Sequence, residues 1–570
     1  MSAPAQDRID RLEAAFGPLD DPGNPCGQDA LLAADSAGRA PAAAEAVLDS
    51  FAFDAEFVPE RHGGRLARMD VLGRVLRPVF RRDASLGFGY GLNCFFAAVP
   101  VWTGGTDEQC ALAARLLLGG RRIAVARHEV AHGNAFVREE FAAEPVAEGY
   151  RLHGSKSVIA NAARSAGLVV FARTGETRGR THSVLLLDRD RLPAGRVRNL
   201  GRRATNGMRS TDFSGLSITD CTVPHEALVG SLGDGYELSL RSSLVIRGLI
   251  PSIVLSGADT ALRTVAQFAT RRRADGRSSL DVRHVRDVLT GAFLDLLLGD
   301  CLAAVATRAL HLLPRQMSAY AAAAAYQAPK LLAESMDEMS AVLGKATFAE
   351  AGAYAMFQKQ LRDLPVTSLG HAGSAGRQVS LLPQLPYFAR NAWFADPEAP
   401  AALFRVHDGL PPLDLSQPAL LGDGDPLAAT LVACTDRLEG AADASRDGGT
   451  LRFLARAFTS ELADLRKAFT DIAPDDRKAL ASPHAFGLAD RYSLVLTAAA
   501  CLGVWHEQRA GTDAFLADPA WATAALYRLG RRLGLPLPDR PAADEERVLA
   551  EVLARLHGRR SYDLYGSALA

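Results

Sequence analysis

The sequence predicts an α+β protein in four stretches: an N-terminal helical domain over 1–122, a barrel-like β-domain over 123–232, a helical bundle over 233–390 and a helical extension over 391–570. Three observations predict it. Apolar residues recur at helical spacing before residue 120 and again after Gly235. Between Ile123 and Leu232 the pattern changes to short alternating or apolar runs bounded by glycine, proline and aspartate, which is the signature of antiparallel strands. A connector rich in proline, glycine and aspartate, Ala395 to Pro426, then divides the two later helical stretches. At 570 residues the chain is too long for one domain, so a multi-domain order is expected.

Residues 1–120 read as helices with loops around Pro22–Cys26 and Gly63–Gly64. Gly87, Gly89 and Gly91 look superficially like a dinucleotide fingerprint, but that motif needs a preceding strand and a βαβ unit. They are read instead as places where helices or a ligand approach closely. Strands are expected at Gly167–Ala172, Ser183–Leu187 and Gly215–Ile218. Gly235 to about Gln360 is alanine- and leucine-rich with few breakers, and the helical pattern resumes after Pro426, including Ser493–Arg509 and Glu546–Leu556.

Several function classes are excluded at this level. A net charge of −1 gives no electrostatic case for nucleic acid or an anionic membrane as partner. No apolar stretch is expected to reach the ~18 residues that span a bilayer. Met1 to Phe16 lacks the apolar core of a secretion signal. Seven scattered cysteines without a C-x-x-C pair fit a reducing compartment, so a cytoplasmic location is expected. His128-Glu129-Val130-Ala131-His132 matches the H-E-x-x-H zinc pattern, which needs a helix to put both imidazoles on one face. Here it follows the strand-like Ile123–Ala126 and precedes Gly133, so no metal site is expected.

Five stretches instead resemble the acyl-CoA dehydrogenase family. His128 to Ala135 resembles its T-E-x-x-x-G-S-D motif, and Tyr150 to Asn161 its Y-x-(I/L)-x-G-x-K-x-(W)-I-(T)-N motif. Gly207–Thr211 and Thr219–Pro224 resemble G-x-R-x-S/T and D-x-x-V-P, and Phe268 to Gly276 resembles R-x-x-F-G. Arg362-Asp363 opens the segment that in the family ends in the catalytic Y-E-G-T. The resemblance covers about residues 45–385, and the C-terminal part looks like the extra helical region of longer relatives and acyl-CoA oxidases.

The resemblance implies FAD between the β-domain and the bundle, and an acyl thioester of coenzyme A or an acyl carrier protein as substrate. It also implies a homodimer or homotetramer that completes each cofactor site. It places Glu129, Gly133, Asn134, Val158, Ala160, Asn161 and Arg272 at the cofactor and Arg247 and Gly370 at the substrate. The family's catalytic glutamate falls at His371 and its alternative base position at Ile246, neither a carboxylate. His128 stands for the first motif's threonine, Val158 for the aromatic over the flavin and Ala160 for the threonine at N5. Asp275 replaces the R-x-x-F-G phenylalanine, and the neighbour's glycine-rich loop reads Leu343–Phe348. An unperturbed pKa near ~6.5 suits His371 to proton transfer, with His128 facing it across the same cleft.

Three readings follow. One is a flavoprotein oxidoreductase acting on an acyl thioester in specialised metabolism. The second is a flavin-free enzyme doing cyclisation, elimination or hydration with His371 and His128 as acid–base groups. The third is a non-catalytic subunit partnering an active paralogue.

Overall fold

The glycines at 87, 89 and 91 sit where the N-terminal helices pack most closely. In this computed structural model, which describes residues 3–127, 129, 138–175, 181–274, 276–368, 375–440, 446–473 and 475–570, the chain opens with α1 (Ala3–Phe16), α2 (Gln28–Ala37), α3 (Ala42–Ser50) and α4 (Met69–Arg82). There follow α5 (Ala84–Leu86), a π-helical turn at Gly87–Leu92, α6 (Asn93–Gly104) and α7 (Asp107–Leu118). Asp83 starts α5 by accepting the Ser85 and Leu86 N–H groups, and Thr106 with Gln109 closes a capping box on α7. A Cβ on Gly87 would lie 2.5 Å from the Phe80 ring, and one on Gly91 would lie 2.6 Å from Phe57. At Gly89 the nearest atom, on Thr211, is 3.5 Å away, so sterics demand glycine at two of the three positions.

The sheet contains β1 (Arg122–Ala126), β2 (Ala142–Val146), β3 (Gly149–Ala160), β4 (Ser165–Arg173), β5 (His182–Asp188), β6 (Val197–Leu200), β7 (Phe213–Val223) and β8 (Leu228–Val229). Pairing runs β6-β7-β3-β2-β4-β5-β8, with β1 beside β4. The expectation of purely antiparallel pairing is corrected here: β1 and β2 both pair parallel with β4, and the sheet is mixed. The physical reason is that β1 and β2 run the same way, so the chain must return between them. Residues 127–141 supply the dozen or more residues such a crossover needs. Along β4, Leu168 and Val170 face one core and Val169 and Phe171 the other, which joins the helices. Burial on both faces is why this strand reads as an unbroken apolar run.

The bundle is α8 (Gly235–Arg271), a short hairpin of β9 (Arg273–Ala274) and β10 (Arg277–Ser278), α9 (Arg283–Leu312), α10 (Met317–Leu343), α11 (Gly352–Thr367), α12 (Ala375–Leu381) and α13 (Leu385–Asn391). The extension adds α14 (Pro426–Gly440), α15 (Arg446–Thr470), α16 (Arg477–Leu480), α17 (Pro483–Gln508), α18 (Ala514–Ala517), α19 (Pro519–Leu533) and α20 (Ala542–His557). Helices α17, α19 and α20 pack on α9. Four stretches overturn the expectation about bilayer length: Ala84–Gly104, α8, α9 and α17 are long and apolar enough to cross a membrane by length and composition alone. The apolar windows of Ala84–Gly104 and α9 are wholly buried, so neighbouring helices cover them. Acidic residues such as Asp295 and Asp300 hide these runs in the sequence, and partners within the fold satisfy both.

After α20 the chain enters the junction of α4, α8 and α9. Asp563 pairs with Arg77 at 3.0 Å, and Arg77 also pairs with Asp300 at 2.5 Å. Arg81 lies between Glu13 at 3.2 Å and Asp259 at 3.6 Å. The Tyr562 N–H donates to Asp259 and the Leu564 N–H to Asp300, while the Arg74 guanidinium sits 3.7 Å above the Tyr565 ring. Burial opposes the Asp563 charge, yet Arg77 and Arg81 hold its pKa well below the ordinary value.

Asp563→Asn leaves buried guanidinium charge under-paired, which typically costs about 3–5 kcal/mol. Its guanidinium chloride midpoint is expected to fall well below wild type, and an unchanged midpoint would refute the role given to this network. Gly87→Ala drives a methyl group into Phe80 and is expected to cost about 1–3 kcal/mol in the same assay.

Candidate functional site

The candidate site lies where the ends of β1 and β3 meet the bundle. Just past β1, the Glu129 carboxylate accepts the N–H groups of Glu140 and Phe141, each at 2.9 Å. Its charge is met by Lys156 at 3.6 Å, and Lys156, wholly buried on β3, also pairs with Glu139 at 2.8 Å and donates to the Arg127 carbonyl. These bonds hold residues 127–129 against 139–141. Burial lowers the Lys156 pKa and pushes the Glu139 carboxyl up to about 7, outweighing the ion pair.

The end of β3 is clamped to the π-helical turn. The Asn93 side chain donates to the Ala160 carbonyl at 3.0 Å, and the Asn161 side chain donates to the Gly89 carbonyl. Asn161 has φ 61°, a left-handed conformation that asparagine tolerates better than most residues. Its N–H is held by the Asp212 carbonyl at 2.7 Å. Val158 is half-buried, and Ala160 and Asn161 are buried. Three buried polar atoms near this end have no hydrogen-bond partner among the described residues: Asn161 Oδ1, Ser210 Oγ and Ser214 Oγ. Ser214 is the cross-strand neighbour of Ile159. The Met208 N–H donates to Asp363, a buried carboxylate that also takes Lys359 at 2.6 Å, which docks the 207–211 loop on α11.

On the bundle side, Arg247 of α8 donates to Ser380 Oγ of α12 at 2.8 Å, and its Nε is buried with no hydrogen-bond partner. Arg127 reaches the Ser243 hydroxyl of α8 at 3.2 Å, and Arg377 of α12 donates to the Ser368 carbonyl at 3.0 Å. Burial and then repulsion from Arg247 lower both Arg127 and Arg377 to about 10. Sequence reasoning missed Arg127 and Arg377, because nothing local distinguishes an arginine after a strand or in a short helix. The signal lay in the motif register, which puts Arg127 directly before the first cofactor motif.

Of the predicted site residues, Glu129, Val158, Ala160, Asn161 and Arg247 gather at this seam. Arg272 does not: it is exposed at the end of α8, its guanidinium 5.1 Å from the Phe268 ring. At ~1.5 Å per residue it stands about 37 Å along the helix from Arg247. His128, Gly133, Asn134, Gly370 and His371 lie outside the described residues, as do His132 and Asp275. His153, read as a surface or packing residue, is exposed opposite Asp220 at 3.3 Å.

A mixed-sheet domain between N-terminal helices and a long-helix bundle, with further helices packed on the bundle, defines the acyl-CoA dehydrogenase fold. The structure of an acyl-CoA dehydrogenase complexed with FAD from Bacillus anthracis superposes with a TM-score of 0.72 at 14% identity, covering 98% of this chain and 96% of that one. The prolyl acyl carrier protein oxidase AnaB gives 0.59 at 18% identity, over 67% of this chain and 98% of its own. Residues 233–382 match the family model of the acyl-CoA dehydrogenase C-terminal domain, and the chain belongs to the acyl-CoA dehydrogenase family. It is 25% identical over 222 residues to mitochondrial isovaleryl-CoA dehydrogenase of Solanum tuberosum, covering 39% of this chain and 53% of that protein. It is 27% identical over 224 residues to human mitochondrial short-chain specific acyl-CoA dehydrogenase, covering 38% and 53%. The chain thus spans about half the length of the curated relatives it matches.

Glu139 supplies a pH test. With its folded pKa above the ordinary 4.5, the native state keeps a proton that the unfolded chain has released, so stability falls as pH rises from 4.5 through about 7. Glu139→Gln is expected to flatten the change in unfolding midpoint between about pH 5 and pH 7.5. Equal slopes in the two proteins would show that Glu139 titrates normally.

Proposed function

We propose that this chain is a diverged acyl-CoA dehydrogenase-like flavoprotein oxidoreductase acting on an acyl thioester of coenzyme A or an acyl carrier protein. The proposal extends to a biosynthetic setting, a cytoplasmic location and a homodimer or homotetramer. The observation that carries it is the set of partnerless buried polar atoms beside the clamped end of β3. Asn161 Oδ1, Ser210 Oγ and Ser214 Oγ fit the polar edge of a heteroaromatic group, in a fold whose Bacillus anthracis neighbour is complexed with FAD. FAD held there supplies a hydride acceptor.

The chain's own residues do the rest. Asn93 and Asn161 fix the backbone of 160–161, and the Glu129–Lys156 pair fixes the base of the first motif. His371, at the position of the family's glutamate, takes the proton next to the thioester carbonyl as a neutral imidazole. Arg272, remote from its own seam, reaches the cofactor of a neighbouring copy. The carrier-protein alternative draws support from the likeness to a prolyl acyl carrier protein oxidase.

A second reading, non-redox acid–base chemistry without flavin, is favoured by Ala160, a buried side chain with no hydrogen-bonding group where the family offers a hydroxyl. Flavin released on denaturation, measured before and after reconstitution with excess FAD, separates the two. The proposal expects bound flavin that an acyl thioester bleaches anaerobically, and a kcat lowered ~10²–10⁴-fold in His371→Ala. No flavin retained after reconstitution would sink it. A colourless enzyme that turns over acyl thioester and loses activity in His371→Ala would select the second reading.

A further inference from the structure

We infer that Arg127, Arg247 and Arg377 together form a binding site for an oxyanion group, a carboxylate or a phosphate, carried by the ligand of this seam. The inference rests on reading the seam as the active site.

The three arginines come from distant parts of the sequence and are brought together by a relay of hydroxyls. Arg127, at the end of β1, bonds to Ser243 on α8, one helical turn before Arg247. Arg247 bonds to Ser380 on α12, and Arg377 lies one turn before Ser380. Each step joins one arginine to the helix that carries the next. All three side chains keep part of their surface exposed, so a ligand has access to them.

The acceptors in this relay are neutral. Ser243 and Ser380 offer hydroxyls, and Arg377 is met by the Ser368 carbonyl. Neutral acceptors satisfy N–H groups without cancelling charge, and each guanidinium carries five such groups. For Arg247 the remaining demand is explicit, since its Nε is buried without a partner and burial alone lowers its pKa. Repulsion is explicit for the others, each lowered by its neighbours in the trio.

Elsewhere the same fold answers buried arginine with carboxylate. Arg77 meets Asp300 and Asp563, Arg81 meets Glu13 and Asp259, and Arg308 meets Asp70 at 2.7 Å. Arg528 and Arg532 share Asp295. Packing mutually repelling cations at the seam is costly unless an anion arrives there. A planar guanidinium matches a carboxylate or phosphate with two parallel hydrogen bonds, which makes an oxyanion the fitting complement.

The test uses the full-length protein and ligand-induced shifts in melting temperature, with glutarate, inorganic phosphate and coenzyme A as probes. Wild type is expected to be stabilised by glutarate or by phosphate. Arg247→Gln and Arg377→Gln are expected to weaken that binding at least about tenfold. Ser380→Ala, which removes only the hydroxyl holding Arg247, weakens it less and guards against misfolding of the charge variants. Arg241→Gln, on the same helix but paired with Glu237, is expected to bind as wild type.

Glutarate binding without competition from coenzyme A places the anion on the acyl group. Phosphate binding displaced by coenzyme A places it on the carrier. Either outcome supports the inference. No stabilisation of wild type by any probe overturns it, as does full binding in Arg247→Gln. Displacement of glutarate and phosphate by FAD alone gives the arginines to the cofactor, which overturns the inference and leaves the flavoprotein reading standing. A colourless protein that still binds glutarate through Arg247 keeps the inference while that reading fails.

Discussion

The structure depends first on pairing buried charge at the junction of α4, α8 and α9. Arg77 and Arg81 project from α4 into a core otherwise built of apolar helices, and are stable there because Asp300, Asp259, Glu13 and Asp563 surround them. An ion stripped of water costs several kcal/mol unless a partner and further hydrogen bonds replace the solvent. Here four parts of the chain supply those partners: α1, α8, α9 and the segment after α20. Similar bonds recur further out. Asp295 of α9 takes Arg528 and Arg532 of α19, and Asp425 takes the side chains of Trp393 and Tyr492. Apolar packing brings the helices together, and these bonds fix which helix meets which.

The seam inverts that arrangement. At the junction every arginine finds acid within the fold, whereas at the seam Arg247 finds a hydroxyl and keeps a donor in reserve. The clamped end of β3 likewise leaves Asn161 Oδ1 and two serine hydroxyls unused. Unspent polar capacity in a folded protein is costly, so its concentration where β-domain and bundle meet separates a surface prepared for a ligand from one that only packs.

The fold was legible in the sequence wherever burial follows a local period. The strand β4 reads as an unbroken apolar run because both its faces are covered, and Gly87 and Gly91 read as close contacts because rings lie against their backbone. Parallel pairing of β1 with β4 was not legible, since direction depends on where the chain goes between strands rather than on composition. Nor was the bilayer-like apolarity of α9, whose aspartates look like interruptions until Arg528 and Arg532 are placed beside Asp295. At the site, motif register located Glu129, Asn161 and Arg247. Arg127 and Arg377 escaped because their meaning comes from a convergence of β1, α8 and α12 that no window of neighbouring residues contains.

The segment at 562–564 also governs the order in which the molecule can assemble. Tyr562 and Asp259 are 303 residues apart, and Leu564 and Asp300 are 264 apart. Contacts of such span close late, because the chain between them must surrender its freedom before the contact returns anything. Until they close, Arg77 and Arg81 lack one of their acids and gain more from water than from the core. Hydrated cations on α4 therefore hold open the very interface that the apolar helices α8 and α9 would otherwise seal early, delaying collapse until the distant partner strand of chain has been threaded into place.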